Sequence, residues 1–261
     1  MNGMIKKEFL YGIRNSKILI IAVTYFFFAL SVPIMIKVLL PLLLKSQFPG
    51  MSESDIALMI DISQNGSMTT YMSNMFEVGI IVISLTLSGL MAAEINDNTL
   101  ILPMCSGRKF ESILFSKLIV FGLILSMTAI TSMLVTYGYS GLIFGYDINF
   151  LAVIKSALLD GLFMIFVLSL ILAYGTFIKK PIATGLMTIG TVYVISIVGS
   201  LLKINTYLPS GLTAEANQFR TLMDSNTILP VIITVSIIVF IHIITLYRLK
   251  TMEWLTGFKV G

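Results

Sequence analysis

The chain has one cysteine, Cys105, and one histidine, His242. A single thiol excludes any disulfide framework within the chain. A single imidazole leaves neither a histidine-rich metal site nor a Ser-His-Asp triad. Charge is scarce too. Asp, Glu, Lys and Arg make up 11% of 261 residues, where a soluble domain carries roughly 25%. Seventeen basic and thirteen acidic side chains cannot coat 261 residues for water, which excludes a cytosolic globular enzyme, a secreted domain and a disordered tail. The phosphate-binding pattern Gly-x-x-x-x-Gly-Lys-Ser/Thr is missing, as are His-Glu-x-x-His, Gly-x-Ser-x-Gly and Cys-x-x-Cys. No catalytic residue, cofactor or metal ligand is assigned to the chain, and no ATPase chemistry of its own is expected.

What is present is grease. Apolar residues make up 57% of the chain and mean hydropathy is +0.97. A membrane-crossing helix needs about 20 apolar residues. Six stretches approach that: 18–40, 75–93, 118–144, 151–178, 182–202 and 228–247. The first contains Pro33 and Lys37. No strand-period alternation is sustained, so a barrel is not expected, and an open sheet cannot stand in lipid with its edges unpaired. The expected fold is all-α and polytopic: an interfacial N-terminal helix over 1–17, one six-span domain over 18–247, and a tail over 248–261. The apolar run near the N-terminus is too long for a cleavable signal and no small-residue cleavage site follows it, so the first span is expected to stay as an anchor.

Lysine and arginine orient the spans. With both termini on one side, that side carries Lys6, Lys7, Arg14, Lys17, Arg108, Lys109, Lys117, Lys179, Lys180, Arg248, Lys250 and Lys259. The other side carries Lys37, Lys45, Lys155, Lys203 and Arg220, together with the acids Glu53, Asp55, Asp61, Asp147, Glu215 and Asp224. Twelve against five places both termini in the cytoplasm of a multi-pass protein of the cell membrane. The net charge of +4 does not indicate nucleic acid, because the basic residues sit in short clusters beside apolar runs.

The connecting segments carry the remaining signal. In residues 1–17 a helical period of 100° gathers Met4, Ile5, Phe9 and Ile13 on one face and Lys6, Lys7, Arg14 and Lys17 on the other, the pattern of a helix lying on lipid headgroups; Gly12 weakens it. Residues 45–74 form the longest polar stretch, with Ser52 and Asp55 predicting a short helix on the outer face. In the inner segment 94–117, Asp97 and Asn98 predict N-caps for a short helix that Pro103 limits, and Ser106 predicts a cap for the helix that continues into span three. Leu100, Ile101 and Leu102 would offer apolar side chains to a partner or the interface. Residues 203–227 contain the turn-rich Leu208-Pro209-Ser210-Gly211 and predict a shallow re-entrant dip before span six.

Within the spans, Glu77 and Asp160 are the acids, both toward the outer end. Intramembrane carboxylates mark pathways by default, so these two and Pro209 are the candidate pathway or outer gate, with escape to the outer interface as the other reading of both acids. Small residues recur at four-residue spacing: Ser84, Ser88 and Ala92 on span two, and Thr184, Thr188, Ser196 and Ser200 on span five. Gly141 and Gly145 form a further pair on span three. These stripes serve contact within the bundle or between subunits. His242 reads as a hydrogen-bonded interior histidine and Cys105 as an inert cytosolic thiol.

Together these features resemble the membrane subunit of a type 2 ABC exporter. The resemblance covers nearly the whole chain. It is sharpest from Ala92-Ala93-Glu94 through Asn98-Thr99-Leu100 to Arg108-Lys109 and Lys117, where family members carry an acid, Gly-Thr-Leu, a Pro, an Arg, and a Lys opening the next helix. Asn98 replaces the usual Gly, a mild change because Asn tolerates the same turn conformations, and Pro103 falls early relative to Arg108. The resemblance implies a dimer with the same or a homologous permease, joined to two separate ATPase subunits that hold ATP and Mg. It implies that Glu94, Asp97, Asn98, Thr99, Leu100, Leu102, Arg108 and Lys109 form the coupling contact, and that spans one and five meet the second permease, which suits Thr184, Thr188, Ser196 and Ser200. Small hydrophobic or amphipathic cargo follows by analogy: toxin or antimicrobial peptides, phenol-soluble modulins included, in export or resistance. The competing readings are an ion-gradient-driven secondary transporter and a membrane accessory or sensor protein that transports nothing.

Overall fold

The computed structural model describes residues 2–48, 61–221 and 224–252, and among them there is helix and no strand. Six helices are long and apolar enough to cross a membrane: α2 (Lys17–Gln47), α3 (Gln64–Asn96), α5 (Phe110–Phe144), α6 (Phe150–Ile178), α7 (Pro181–Leu201) and the last, α9 (Ser225–Thr251). The shorter helices are α1 (Asn2–Arg14), α4 (Ile101–Cys105) and α8 (Ser210–Ala216). The chain is thus an all-helical, multi-pass membrane protein. The expected helix at Ser52–Asp55 and the tail beyond Met252 lie outside the described residues.

The centre of the bundle is α6. Of its most apolar stretch 83% is buried, against 28% for α2 and α7 and 22% for α9. It packs on α5, α9, α8 and α3, and its all-round apolar sequence is what a fully enclosed helix requires. The peripheral helices keep one apolar face outward, with Ile182, Leu201, Phe240 and Tyr247 among the exposed side chains.

Two helix boundaries differ from the hydropathy reading. The second span begins at Gln64, where Ser63 accepts a hydrogen bond from the Gly66 amide at 3.1 Å, and the first runs on to Gln47. Much of the expected polar loop over 45–74 is therefore helix. Its polar first turns are buried by tertiary contact: Gln64 has no exposed surface, accepts from the amides of Asp147 and Ile148 at 2.8 and 3.0 Å and donates to the Tyr137 carbonyl at 3.2 Å. Both helices are interrupted. Pro33, which has no N–H to give, precedes a π-helical turn at Met35–Leu39 in α2. A second π-helical turn, Met75–Gly79, contains Glu77. Helix α3 also breaks at Ser88.

The antiparallel spans define two ends. The near end carries α1, α4, the Lys179-Lys180 turn and the C-terminus of α9. Lys179 takes φ 61° there and Pro181 opens α7 at its first position. The far end carries residues 145–149 and the segment 202–221, with α8 and a 3-10 turn at Asn205–Tyr207. Helix α8 is held on α6: Ser156 donates to the Ala216 carbonyl at 2.6 Å, and buried Lys155 reaches Thr227 at 3.3 Å, which bonds Glu215 at 3.2 Å.

Candidate functional site

The near end is organised by four charged side chains. Helix α1 buries Met4, Glu8 and Gly12, one stripe at four-residue spacing. Gly12 is needed for the approach: a Cβ there would stand 3.0 Å from the Ile18 side chain and 3.2 Å from the Phe121 ring. That closeness brings Glu8 to Lys117, in the second turn of α5. The Lys117 ammonium has no exposed surface and lies 2.9 Å from Glu8 Oε2 and 3.0 Å from Glu94 Oε1. Lys7, half-exposed, stands 3.4 Å from Glu94 Oε1 and 3.6 Å from Glu8 Oε1. Two carboxylates and two ammoniums thus balance in one array and tie together α1, the end of α3 and the start of α5. Glu8 Oε1 and Glu94 Oε2 accept no hydrogen bond, so the array depends on Lys117 for its compensation.

Glu94 has a second role through its backbone. Helix α3 ends with Asn98 in the left-handed region at φ 55°. The Asn98 amide bonds the Ile95 carbonyl at 3.2 Å and the Thr99 amide bonds the Glu94 carbonyl at 3.0 Å. This is the Schellman termination, whose left-handed position Gly or Asn fills. Asn98 therefore ends a helix, and the expectation that Asp97 and Asn98 cap the start of the next one is corrected; Asp97 is the C-cap of α3. The short helix α4 ends in the same way. Gly107 takes φ 76° and the Arg108 amide bonds the Pro103 carbonyl at 3.1 Å. Ser106 is not the cap of α5 either: its hydroxyl donates to the Pro103 carbonyl at 2.7 Å, and Lys109 holds the cap position.

Between α1 and the 94–109 segment lies an open cleft of about 550 Å³, lined by Met4, Lys7, Tyr11, Glu94, Asp97 and Arg108 among others. Partial burial raises the Tyr11 phenol above its ordinary value, with Glu94 and then Glu8 adding to the shift. Asp97, Asn98, Thr99, Arg108 and Lys109 are exposed along this surface, while Glu94 is buried. Leu100 is a correction. It is 1% exposed and belongs to the core, so it offers nothing to a partner; the side chain of Leu102 lies outside the described set.

The other sequence-selected residues separate. Glu77, Ser196 and Ser200 come together in a cavity of about 200 Å³ at the far end. Pro209 is buried at the start of α8, next to that cavity rather than on its wall. Asp160 does not reach an interface: it is 3% exposed inside the bundle and its Oδ2 has no hydrogen-bond partner. Thr184 and Thr188 have no exposed surface, and Gly185 between them sits against Ser84 and Leu85 of α3, so the upper half of that stripe serves contact within the chain. His242 is 7% exposed, and its ring stands 6.0 Å from that of Phe115, the interior position expected of it.

Glu8 is the residue that sequence reasoning passed over. A signal existed, since Glu8 is the only acid before Glu53 and stands alone in a basic helix. No protein-family model matches the chain, and no curated protein or solved structure is significantly similar to it.

Proposed function

We propose that this chain is the membrane subunit of an ATP-driven exporter of the type 2 ABC kind. In this reading the near end faces the cytoplasm of a cell-membrane protein, as the basic residues ask. Helix α1 lies at the inner interface, and 203–221 dips back from the far side. The 94–109 segment is the coupling contact for a separate ATPase that holds ATP and Mg. Two such chains, paired with each other or with a homologous permease, enclose the path of small hydrophobic or amphipathic cargo, peptides above all.

The observation that carries this reading is the buried Glu8–Lys117–Glu94 array. It makes α1, the coupling segment and the ends of two spans one mechanical piece, with an open cleft and exposed Arg108 and Lys109 on its surface. A push on that piece reaches α3 and α5 together. The break at Ser88 and the π-helical turn at Glu77 are the points where α3 can yield. ATP binding then selects between two packings of the bundle that are close in energy.

The test separates docking from folding. Arg108 is exposed, so Arg108→Glu should abolish co-purification of a P-loop ATPase with the full-length chain and leave its thermal unfolding unchanged. Glu94 is buried in the array, so Glu94→Gln should lower the unfolding midpoint as well as ATP hydrolysis. Cargo movement by the purified chain alone in an ion gradient, or wild-type ATPase coupling in Arg108→Glu, overturns the proposal.

A further inference from the structure

The far-end cavity holds a carboxylate in an unusual position. Glu77 is exposed on a helix that crosses the membrane. A carboxylate facing hydrocarbon is costly, and such groups face a water-filled space or a counter-charge. Among the described residues no cation lies within ion-pair distance of Glu77, and no Lys or Arg lines the cavity. The wall beside it is hydroxyl and amide: Ser73, Ser196, Ser200, Thr213, Asn205 and Asn217. It is rich in acceptors. Asn217 Oδ1 is buried and accepts no hydrogen bond, although the side chain itself is only partly enclosed.

The aromatic groups beside Glu77 are fixed. The Phe76 ring lines the cavity, stacks on Phe163 at 6.0 Å and meets Tyr193 edge-on at 5.7 Å. The Tyr193 hydroxyl donates to the Glu77 carbonyl at 2.7 Å, which pins the backbone of the π-helical turn that carries Glu77. Carboxylate, unmet acceptor and aromatic ring are together the recognition chemistry of an ammonium group. A divalent metal would ask for several carboxylate or carbonyl oxygens, and only one carboxylate is here. The volume of about 200 Å³ is below the roughly 300–1,000 Å³ of a site that encloses a drug-sized ligand, so the cavity takes a headgroup and leaves an apolar remainder outside.

We propose that Glu77, Phe76, Asn217 and the serines of this cavity bind the ammonium group of a cationic amphipath. This rests on the exporter reading for its place in transport, where it makes the cargo cationic at one end; its binding chemistry stands apart from that reading.

The experiment uses the full-length protein in nanodiscs of zwitterionic lipid, with n-hexylammonium as probe and n-hexanol as its neutral control, followed by calorimetric titration. The wild type should bind hexylammonium about tenfold or more tighter than hexanol, the worth of one charge-assisted hydrogen bond. Glu77→Gln should erase that preference. Ser200→Lys, which supplies an ammonium from the wall itself, should erase it too and keeps the test open if Glu77→Gln does not fold. Equal binding of the two probes by the wild type, or an undiminished preference in a folded Glu77→Gln, overturns the proposal. ATPase co-purification with the wild-type chain tells the two readings apart. Hexylammonium binding in a chain that recruits no ATPase sustains the site and sinks the exporter; ATPase recruitment without hexylammonium binding does the reverse.

Discussion

An ammonium with no exposed surface must recover its lost hydration from its neighbours, and Lys117 does so from two carboxylates at 2.9 and 3.0 Å. Burying such a set is no guarantee of net stability, but removing one member leaves the others uncompensated, at a cost of about 3–5 kcal/mol. Lys117→Met should therefore lower the thermal unfolding midpoint steeply, because Glu8 and Glu94 are left with half-exposed Lys7 alone. Glu8→Gln keeps the shape and should cost less, about 1–3 kcal/mol. The double variant Glu8→Met with Lys117→Met should recover part of the single loss, since contacting residues are not additive. A Lys117→Met protein that unfolds at the wild-type temperature would show that the array holds nothing. Arg108, exposed nearby, sets the scale of an uninvolved charge: replacing it should shift stability by no more than about 0.5 kcal/mol.

At the scale of elements, the proposed coupling segment owes its shape to two left-handed residues that end α3 and α4. Asn98 at φ 55° is tolerated where a β-branched residue is not. Asn98→Gly should be neutral within a few tenths of a kcal/mol, while Asn98→Val should cost about 1–2 kcal/mol and weaken ATPase retention, because Thr99 and Arg108 would be displaced together. Thermal unfolding and co-purification on the same samples check both. The tolerance of Asn98 for this turn was legible from its residue type, as were the six spans from their apolar runs. The polar start of α3 was not: Gln64 is buried by bonds to residues 137, 147 and 148, and hydropathy sees none of these. The packed face of α1 was not legible for a related reason. Helical period grouped Met4 with Ile5, Phe9 and Ile13, yet Phe9 and Ile13 are exposed and the packed stripe is Met4, Glu8 and Gly12. A lone acid turns inward only because Lys117 waits 109 positions away, and a sequence read locally cannot supply that partner.

For the whole molecule, direction across the membrane decides what each end can meet. Helices α2, α7 and α9 leave broad apolar faces outward, which fits lipid or a second copy and says nothing about which end meets the cytoplasm. Charge does. The near end gathers most of the lysines and arginines, and inner loops hold that excess. The chain carries its own probe for this, since Cys105 is its single cysteine and is exposed on α4. A membrane-impermeant maleimide should leave Cys105 unlabelled in intact cells and label it in inverted vesicles. In a Cys105→Ser, Ser200→Cys protein the pattern should reverse, because Ser200 lines the cavity at the opposite end. Labelling of Cys105 from outside would turn the molecule over. The Glu8–Lys117–Glu94 array would then lie beyond the reach of any cytosolic ATPase, and the Glu77 cavity would open to the cytoplasm, where an ammonium group would be met on the way in to the bundle rather than on the way out.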